Sequence, residues 1–339
     1  LLLIQSDVQS KETINRKREK PSAPKEATRR KMSVGEQSIP STDGSGKTKK
    51  GPEDDKNKVA WAKKVHTTNC KEISKEFNNK IKRFVANGAT VDVCKTDANQ
   101  IKCRYADVLC IDQTRVVLKK RGKDEDFIHA NWVGSPAPGA TKYICTQAPV
   151  KETQEDFWHM CFTEKVSLIL MLCDFKEGSE IEKCSHYFPE KPKSKEKYGP
   201  YTVTMKEKLD EPEIEDTDFS VMEIKWDDTL KVKHCYMRYW VDNCAPVETE
   251  PILKLWKYRT PTLFYRILPF SRWVRKYHND RPVVVHCSAG VGRTSTFVGM
   301  ELASHRIASN PDTQMLDIVK ELRKQRYQSI QSHVQFLYL

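Results

Sequence analysis

The chain predicts an α/β fold, a central sheet with helices packed against it. Three observations carry that prediction. Val166 to Cys173 is a near-continuous apolar run, as a strand buried on both faces requires. Pro282 to His286 is a second such strand, with Val283, Val284 and Val285 in a row, and it runs through a glycine-bearing loop directly into a helix. Around these, helical periodicity and strand-like alternation take turns. The 339 residues suffice for one large domain plus a tail, or for two small domains.

In chain order, residues 1–58 read as a disordered tail rich in Lys, Arg, Ser, Pro, Gly and Asp, with few large apolar residues after Ile4. Its basic clusters, Arg16 to Lys20 and Lys47 to Lys50, suit acidic surfaces or nuclear import, against the plainer reading of a solvated tail. From Val59 the composition changes, and 59–339 reads as the folded domain. Ile73, Phe77, Ile81 and Phe84 recur at helical spacing and stop near Asn87-Gly88. Ile101 to Asp112 is a loop entering a strand, with strands next at Arg115 to Leu118 and Phe127 to Val133. Tyr143 to Pro149 follows, then a helix after Thr153 with Phe157, Trp158, Met160, Cys161 and Phe162 on one side. Lys191 to Lys197 reads as a charged turn, Tyr198 to Val203 as a strand, and Phe219 to Trp226 and Leu230 to Tyr239 as a strand pair. Residues 251–266 look like an insertion. Ile267, Phe270, Val274 and Tyr277 make one more helix, and Asn310-Pro311 reads as the N-cap and first position of a last one. The missing initiator Met and a stop within a helical stretch read as a fragment.

Formal net charge is +12, which favours acidic partners without choosing among phosphopeptides, nucleic acid and anionic lipid. The 11 cysteines are scattered rather than paired as CxxC. That argues against zinc sites and a disulfide scaffold, and for a reducing, intracellular setting. No run approaches the ~18 apolar residues of a membrane span.

The chemistry concentrates after the Val283 strand. Cys287 and Arg293 bracket Ser288, Ala289, Gly290, Val291 and Gly292, and the next helix begins at Arg293. A loop at a helix N-terminus gathers unpaired N–H groups and binds anions. A thiolate is favoured there beside a cation, and arginine is a planar bidentate donor, so this set suits attack on a phosphate ester. A buried structural cysteine beside a turn is the plainer alternative, but it leaves the glycines and the arginine unexplained.

His286-Cys287 with Arg293 six positions on resembles the signature of the cysteine-dependent protein tyrosine phosphatases. Further segments support the resemblance: Arg104-Tyr105-x-Asp107-Val108 (with Cys103 for the family's Asn), Asp126 to Asn131, Tyr143 to Pro149, and Lys183-Cys184 through Tyr187-Phe188-Pro189. It covers roughly Val59 to Leu339. It implies a single domain with a central, highly twisted mixed β-sheet flanked by helices, and a phosphate-binding loop between a central strand and a helix. It implies hydrolysis of phosphotyrosine in proteins through a cysteinyl-phosphate intermediate, with no cofactor or metal, no nucleic acid and no membrane span. A phosphotyrosine-binding pseudophosphatase is the alternative.

The resemblance also assigns roles. Asp242, in Trp240-Val241-Asp242-Asn243-Cys244-Ala245-Pro246, matches the mobile loop's general acid, with Val241 for a proline and Cys244 for a glycine. Gln331 matches the residue that orients the hydrolytic water, and Gln335 assists. Thr294 is expected to hydrogen-bond the Cys287 sulfur, and His286 to order the loop rather than transfer protons. Tyr105 is expected to stack on the substrate ring and Asp107 to accept from the peptide backbone. Ser295 replaces a glycine and is expected to crowd the helix start. The carboxylate that steadies the signature arginine is expected near Lys176, with Glu177 adjacent.

Overall fold

Among the described residues, nine of the strands build one sheet, and its middle is where the sequence puts its valines. The computed structural model describes residues 55–135, 140–178, 180–212, 214, 216–246 and 267–339. All belong to the unit Pro52–Leu339. Most of the expected tail and all of the 251–266 stretch lie outside the described residues.

The elements are α1 (Asp55–Val65), α2 (Cys70–Glu76), α3 (Asp97–Gln100), β1 (Arg115–Val117), β2 (Phe127–Val133), β3 (Tyr143–Thr146), α4 (Gln154–Thr163), β4 (Leu168–Met171), β5 (Lys176–Glu177), β6 (Ile181–Glu182), β7 (Lys195–Tyr198), β8 (Tyr201–Leu209), β9 (Thr217–Lys225), β10 (Thr229–Met237), α5 (Ile267–Tyr277), β11 (Val283–His286), α6 (Arg293–Ser309), α7 (Met315–Gln325) and α8 (His333–Tyr338). Among the described residues the large sheet runs β1-β2-β3-β11-β4-β10-β9-β8-β7, with β5 and β6 a separate hairpin. β11 lies parallel to β3 and β4, and β10 lies parallel to β4; the outer pairs are antiparallel. The four parallel strands therefore end at the same edge. There the segments after β3, β4, β10 and β11 meet, as the carboxyl ends of parallel strands characteristically do.

Burial explains the strand choice. Every side chain of β4 and β11 is buried, and the β-branched valines suit a pleated surface covered on both sides. Phe297, Val298 and Leu302 of α6 and the Phe157-to-Phe162 stretch of α4 join the same core. Each large apolar side chain removed from water contributes about 1.5–3 kcal/mol.

Four local expectations are corrected. α1 starts at Asp55, so the boundary at 58 falls inside a helix; its polar start hid it, and what holds it is Asn57 Nδ2 donating to the Ala308 carbonyl (2.7 Å) and Trp61 Nε1 to that of Thr313 (2.9 Å). The Ile73 to Phe84 periodicity is α2 followed by one π-helical turn, Phe77–Ile81, which keeps Phe77 and Ile81 buried. Lys195 to Tyr198 is strand rather than turn; the chain reverses instead at Gly199, whose φ of +57 suits glycine. Asn310 is not a helix N-cap: its side chain accepts from the Asp312 amide (2.9 Å) in a local turn, and α7 starts only at Met315.

Candidate active site

The segment from Cys287 to Gly292 follows β11 and leads into α6. Its carbonyls are tied outward one after another. Ser288 O accepts from the Ala148 amide (2.9 Å) and Val291 O from the Ile330 amide (2.8 Å). Ala289 O and Gly290 O accept from the Arg326 guanidinium (both 3.1 Å), and Gly292 O accepts from the Thr296 amide (2.9 Å). A planar trans peptide with its carbonyl turned out has its N–H turned in, so the loop presents amides to its own centre. Gly290 makes this winding possible. Its φ is +71, and a Cβ there would stand 2.1 Å from the Thr146 carbonyl oxygen. A Cβ on Gly292 would stand 2.4 Å from Gln331 Oε1 and 3.0 Å from Gln335 Nε2, so both glutamines lie against the loop. Arg326 is wholly buried and also donates to Asn131 Oδ1 (2.8 Å).

Cys287 is buried. Arg293 is completely buried, its Nη1 donating to Glu177 Oε1 (2.5 Å) and the Trp240 carbonyl (2.8 Å). Its Nε and Nη2 make no hydrogen bond, which leaves two parallel donors for an anion's oxygens. Burial alone pulls this guanidinium down, but the facing Cys287, Cys173 and Glu177 hold it above the usual arginine range. Glu177, not a group at 176, therefore steadies the arginine. Neighbours in a strand point opposite ways: Lys176 goes out to Glu180, and Glu177 goes in.

Thr294 departs from expectation. Its hydroxyl is buried with no hydrogen-bond partner, so no bond to the Cys287 sulfur is formed. Ser295 does not crowd α6. Its hydroxyl donates to Ser329 Oγ (3.0 Å), which fills the space a glycine would leave and ties the helix start to the segment before α8.

The segment after β10 covers the loop. Trp240 is fully buried, with its Nε1 donating to the Cys244 carbonyl (2.8 Å), while Val241 is 55% exposed. The left-handed residue here is Asn243, φ +57, a residue type that tolerates that conformation. Cys244 has no positive φ, so the missing glycine imposes no backbone strain in this arrangement. Asp242 reaches in, Oδ1 to 3.3 Å from Arg293 Nη2 and Oδ2 accepting from Lys183 Nζ (3.0 Å). Burial raises its carboxyl, but Arg293, Lys183 and the Asn243 amide outweigh burial and hold it below the ordinary carboxylate value. Lys183 was visible only as part of a matched segment; its contact crosses 59 residues and no local pattern announces it.

Tyr105 forms the side wall. Its hydroxyl meets Ser288 Oγ at 2.8 Å, and its ring packs with Val108, Ala289 and Val291; Asp107 is exposed beside it. Gln335 Oε1 accepts from the Gln331 amide (2.9 Å), while Gln335 Nε2 is buried without a partner. His286 is buried between the Tyr187 hydroxyl (2.7 Å) and the Cys287 carbonyl (3.4 Å), and burial pushes its pKa down to about 3. It is therefore neutral at physiological pH, with one ring nitrogen against the first carbonyl of the loop. The geometry thus gathers Cys287, Arg293, Asp242, Tyr105, Gln331 and Gln335 around one loop.

A fold and loop of this kind define a class of phosphate-ester hydrolases. The family model described as protein-tyrosine phosphatase matches residues 99–339. Tyrosine-protein phosphatase non-receptor type 7 of Mus musculus is 30% identical over 282 residues, covering 82% of this chain and 72% of the relative. Tyrosine-protein phosphatase non-receptor type 4 of Mus musculus is 30% identical over 257 residues, covering 74% and 26%. The solved chain described as "Structural basis of PTPN18 fingerprint on distinct HER2 tyrosine phosphorylation sites" shares the fold with a TM-score of 0.63 at 23% identity, over 84% of this chain and 95% of that one. The chain belongs to the protein-tyrosine phosphatase family. Among the described residues no helix is long and apolar enough to cross a membrane.

Proposed function

We propose that the chain removes phosphate from phosphotyrosine in proteins by a two-step displacement at Cys287. The observation that carries this reading is the alignment of a buried thiol, a ring of inward amides and a buried arginine with two donors that make no hydrogen bond. In the first step the Cys287 sulfur attacks phosphorus. A sulfur–phosphorus bond forms, the bond to the tyrosine oxygen breaks, and Asp242 gives that oxygen its proton. The loop amides and Arg293 hold the three equatorial oxygens throughout. In the second step Gln331, with Gln335, places a water and Asp242 takes its proton; the water oxygen bonds to phosphorus as the sulfur–phosphorus bond breaks, which releases phosphate and returns Cys287 as thiolate. The orphaned Thr294 hydroxyl is a donor available to the phosphoryl oxygens or the departing sulfur.

Asp242 explains why the Trp240 to Pro246 segment, a lid over the loop, acts together with the substrate. Without substrate its neighbours keep it ionised, which is the wrong form for an acid. A phosphate dianion on Arg293 cancels the nearest cation, and so favours the protonated carboxyl. Tyr105 supports the aryl specificity: its ring lies against Ala289 and Val291 at the loop's rim. Asp107, exposed next to it, accepts from the backbone of a bound peptide. Eleven free cysteines support a reducing, intracellular setting; the basic tail would meet acidic surfaces.

The test compares release of phosphate from phosphotyrosyl and phosphoseryl peptides and from phosphoinositides. The reading expects turnover on the first alone and none in Cys287→Ser. Tight binding of the phosphotyrosyl peptide with no turnover by the unaltered protein would instead make it a pseudophosphatase.

A further inference from the structure

Ser332 links the lid to the glutamine pair. Its hydroxyl donates to the Asn243 carbonyl at 2.8 Å, across 89 residues of chain. The same oxygen accepts from the Gln335 amide at 3.1 Å and so caps α8. One hydroxyl has one hydrogen to give, so both roles are filled at once. On the lid side, Asn243 adjoins Asp242, and the Asn243 amide donates to Asp242 Oδ1 at 3.0 Å. On the other side, Gln335 Oε1 holds the Gln331 amide, and both glutamine side chains stand against Gly292. Asn243 is left-handed, which sets the turn that presents its carbonyl to Ser332.

We propose that Ser332 is a positioning residue: its bond to the Asn243 carbonyl latches the lid closed and aligns Gln331 and Gln335 in the same movement. This rests on the roles given above to Asp242 and Gln331. When the lid leaves, the hydroxyl loses its acceptor; when it closes, the acid–base carboxylate and the water-placing amides arrive together. The consequence differs between the two steps. With p-nitrophenyl phosphate the leaving group needs little help from an acid, so formation of the cysteinyl-phosphate depends weakly on the lid. Its hydrolysis needs both the lid and the glutamines. A neutral hydrogen bond of this kind shifts a two-state balance about 2- to 10-fold.

The experiment is stopped-flow kinetics of the full chain with p-nitrophenyl phosphate, which separates the nitrophenolate burst from the steady phase. Three variants at Ser332 are compared. Ser332→Ala removes the hydroxyl. Ser332→Gly removes it as well but keeps most of the helix-capping benefit, because glycine is nearly as good a cap as serine. Ser332→Thr keeps donor and acceptor. The latch predicts that Ala and Gly slow hydrolysis of the intermediate about 3- to 10-fold, with burst formation within about twofold of the unaltered chain, and that Thr restores hydrolysis. Unchanged hydrolysis in Ser332→Gly, or a Thr variant as slow as Ala, would overturn it. Gln331→Ala is run beside them. Slow hydrolysis there with an unaffected Ser332→Gly faults the latch alone; fast hydrolysis in Gln331→Ala faults the water-placing role and the latch with it.

Discussion

Single residues decide the chemistry through the charges that face them. Asp242 is the clearest case. The first step needs it protonated, yet in the free protein Arg293 and Lys183 favour its anion. kcat/KM should therefore fall as pH rises through a value below the ordinary carboxylate range. Removing a cation favours the neutral form, so Lys183→Ala should move that alkaline limb to higher pH; a limb that stays put or moves down would show that Lys183 does not set this carboxyl. Asp242→Asn keeps the shape but cannot cycle a proton, and should cost about 10²–10⁴ in kcat on phosphotyrosyl peptide. This scale was only partly legible. Cys287, Arg293 and the glycines announce themselves by spacing. Glu177 was located only to within a residue, because the choice depends on which side of a two-residue strand faces in, and Lys183 was missed, because its contact joins distant segments.

At the level of elements, the site is the junction of β11, its loop and α6, and the junction tolerates little. Gly290→Ala would set a methyl against the Thr146 carbonyl at a positive φ, so the loop must shift; binding of the phosphate mimic vanadate, followed by calorimetry, should be lost or weakened by at least about 10-fold. Ser295→Gly tests the opposite intuition. Read from the sequence, the serine looked like an intruder at the helix start. Packed, it is a hydrogen-bonded link to Ser329, and its removal should destabilise the protein by about 1–3 kcal/mol in urea unfolding rather than improve it. The strands were readable because β4 and β11 are apolar on both faces. α1 and the start of α7 were not, because their positions depend on long-range contacts and on a side chain that caps a turn instead of a helix.

Across the whole molecule, four buried histidines whose pKa burial lowers, His129, His159, His234 and His286, set the response to acid. His129, His234 and His286 are each pushed by burial to about 3. The unfolded chain takes these protons near the ordinary histidine value, whereas the folded chain refuses them, so stability falls as pH drops below about 6.5. Each of these three contributes a loss of about 2 kcal/mol by about pH 5, and the three together approach the whole stability of an ordinary domain. Thermal melting should show Tm falling steadily from about pH 7 to about pH 5; a flat profile would mean these rings take up protons in the folded state. None of this could be read from composition, since a histidine's neutrality depends on what encloses it. Burial at the carboxyl ends of the parallel strands likewise keeps Cys287 and Arg293 together. The most direct test of that arrangement is rapid mixing with an aryl phosphate, quenched in acid and followed by mass analysis of the peptide carrying Cys287. The account predicts a burst of phenol matched by a phosphoryl group on Cys287, and neither in Cys287→Ser. Steady turnover with no burst and no phosphoryl group on Cys287 would contradict it.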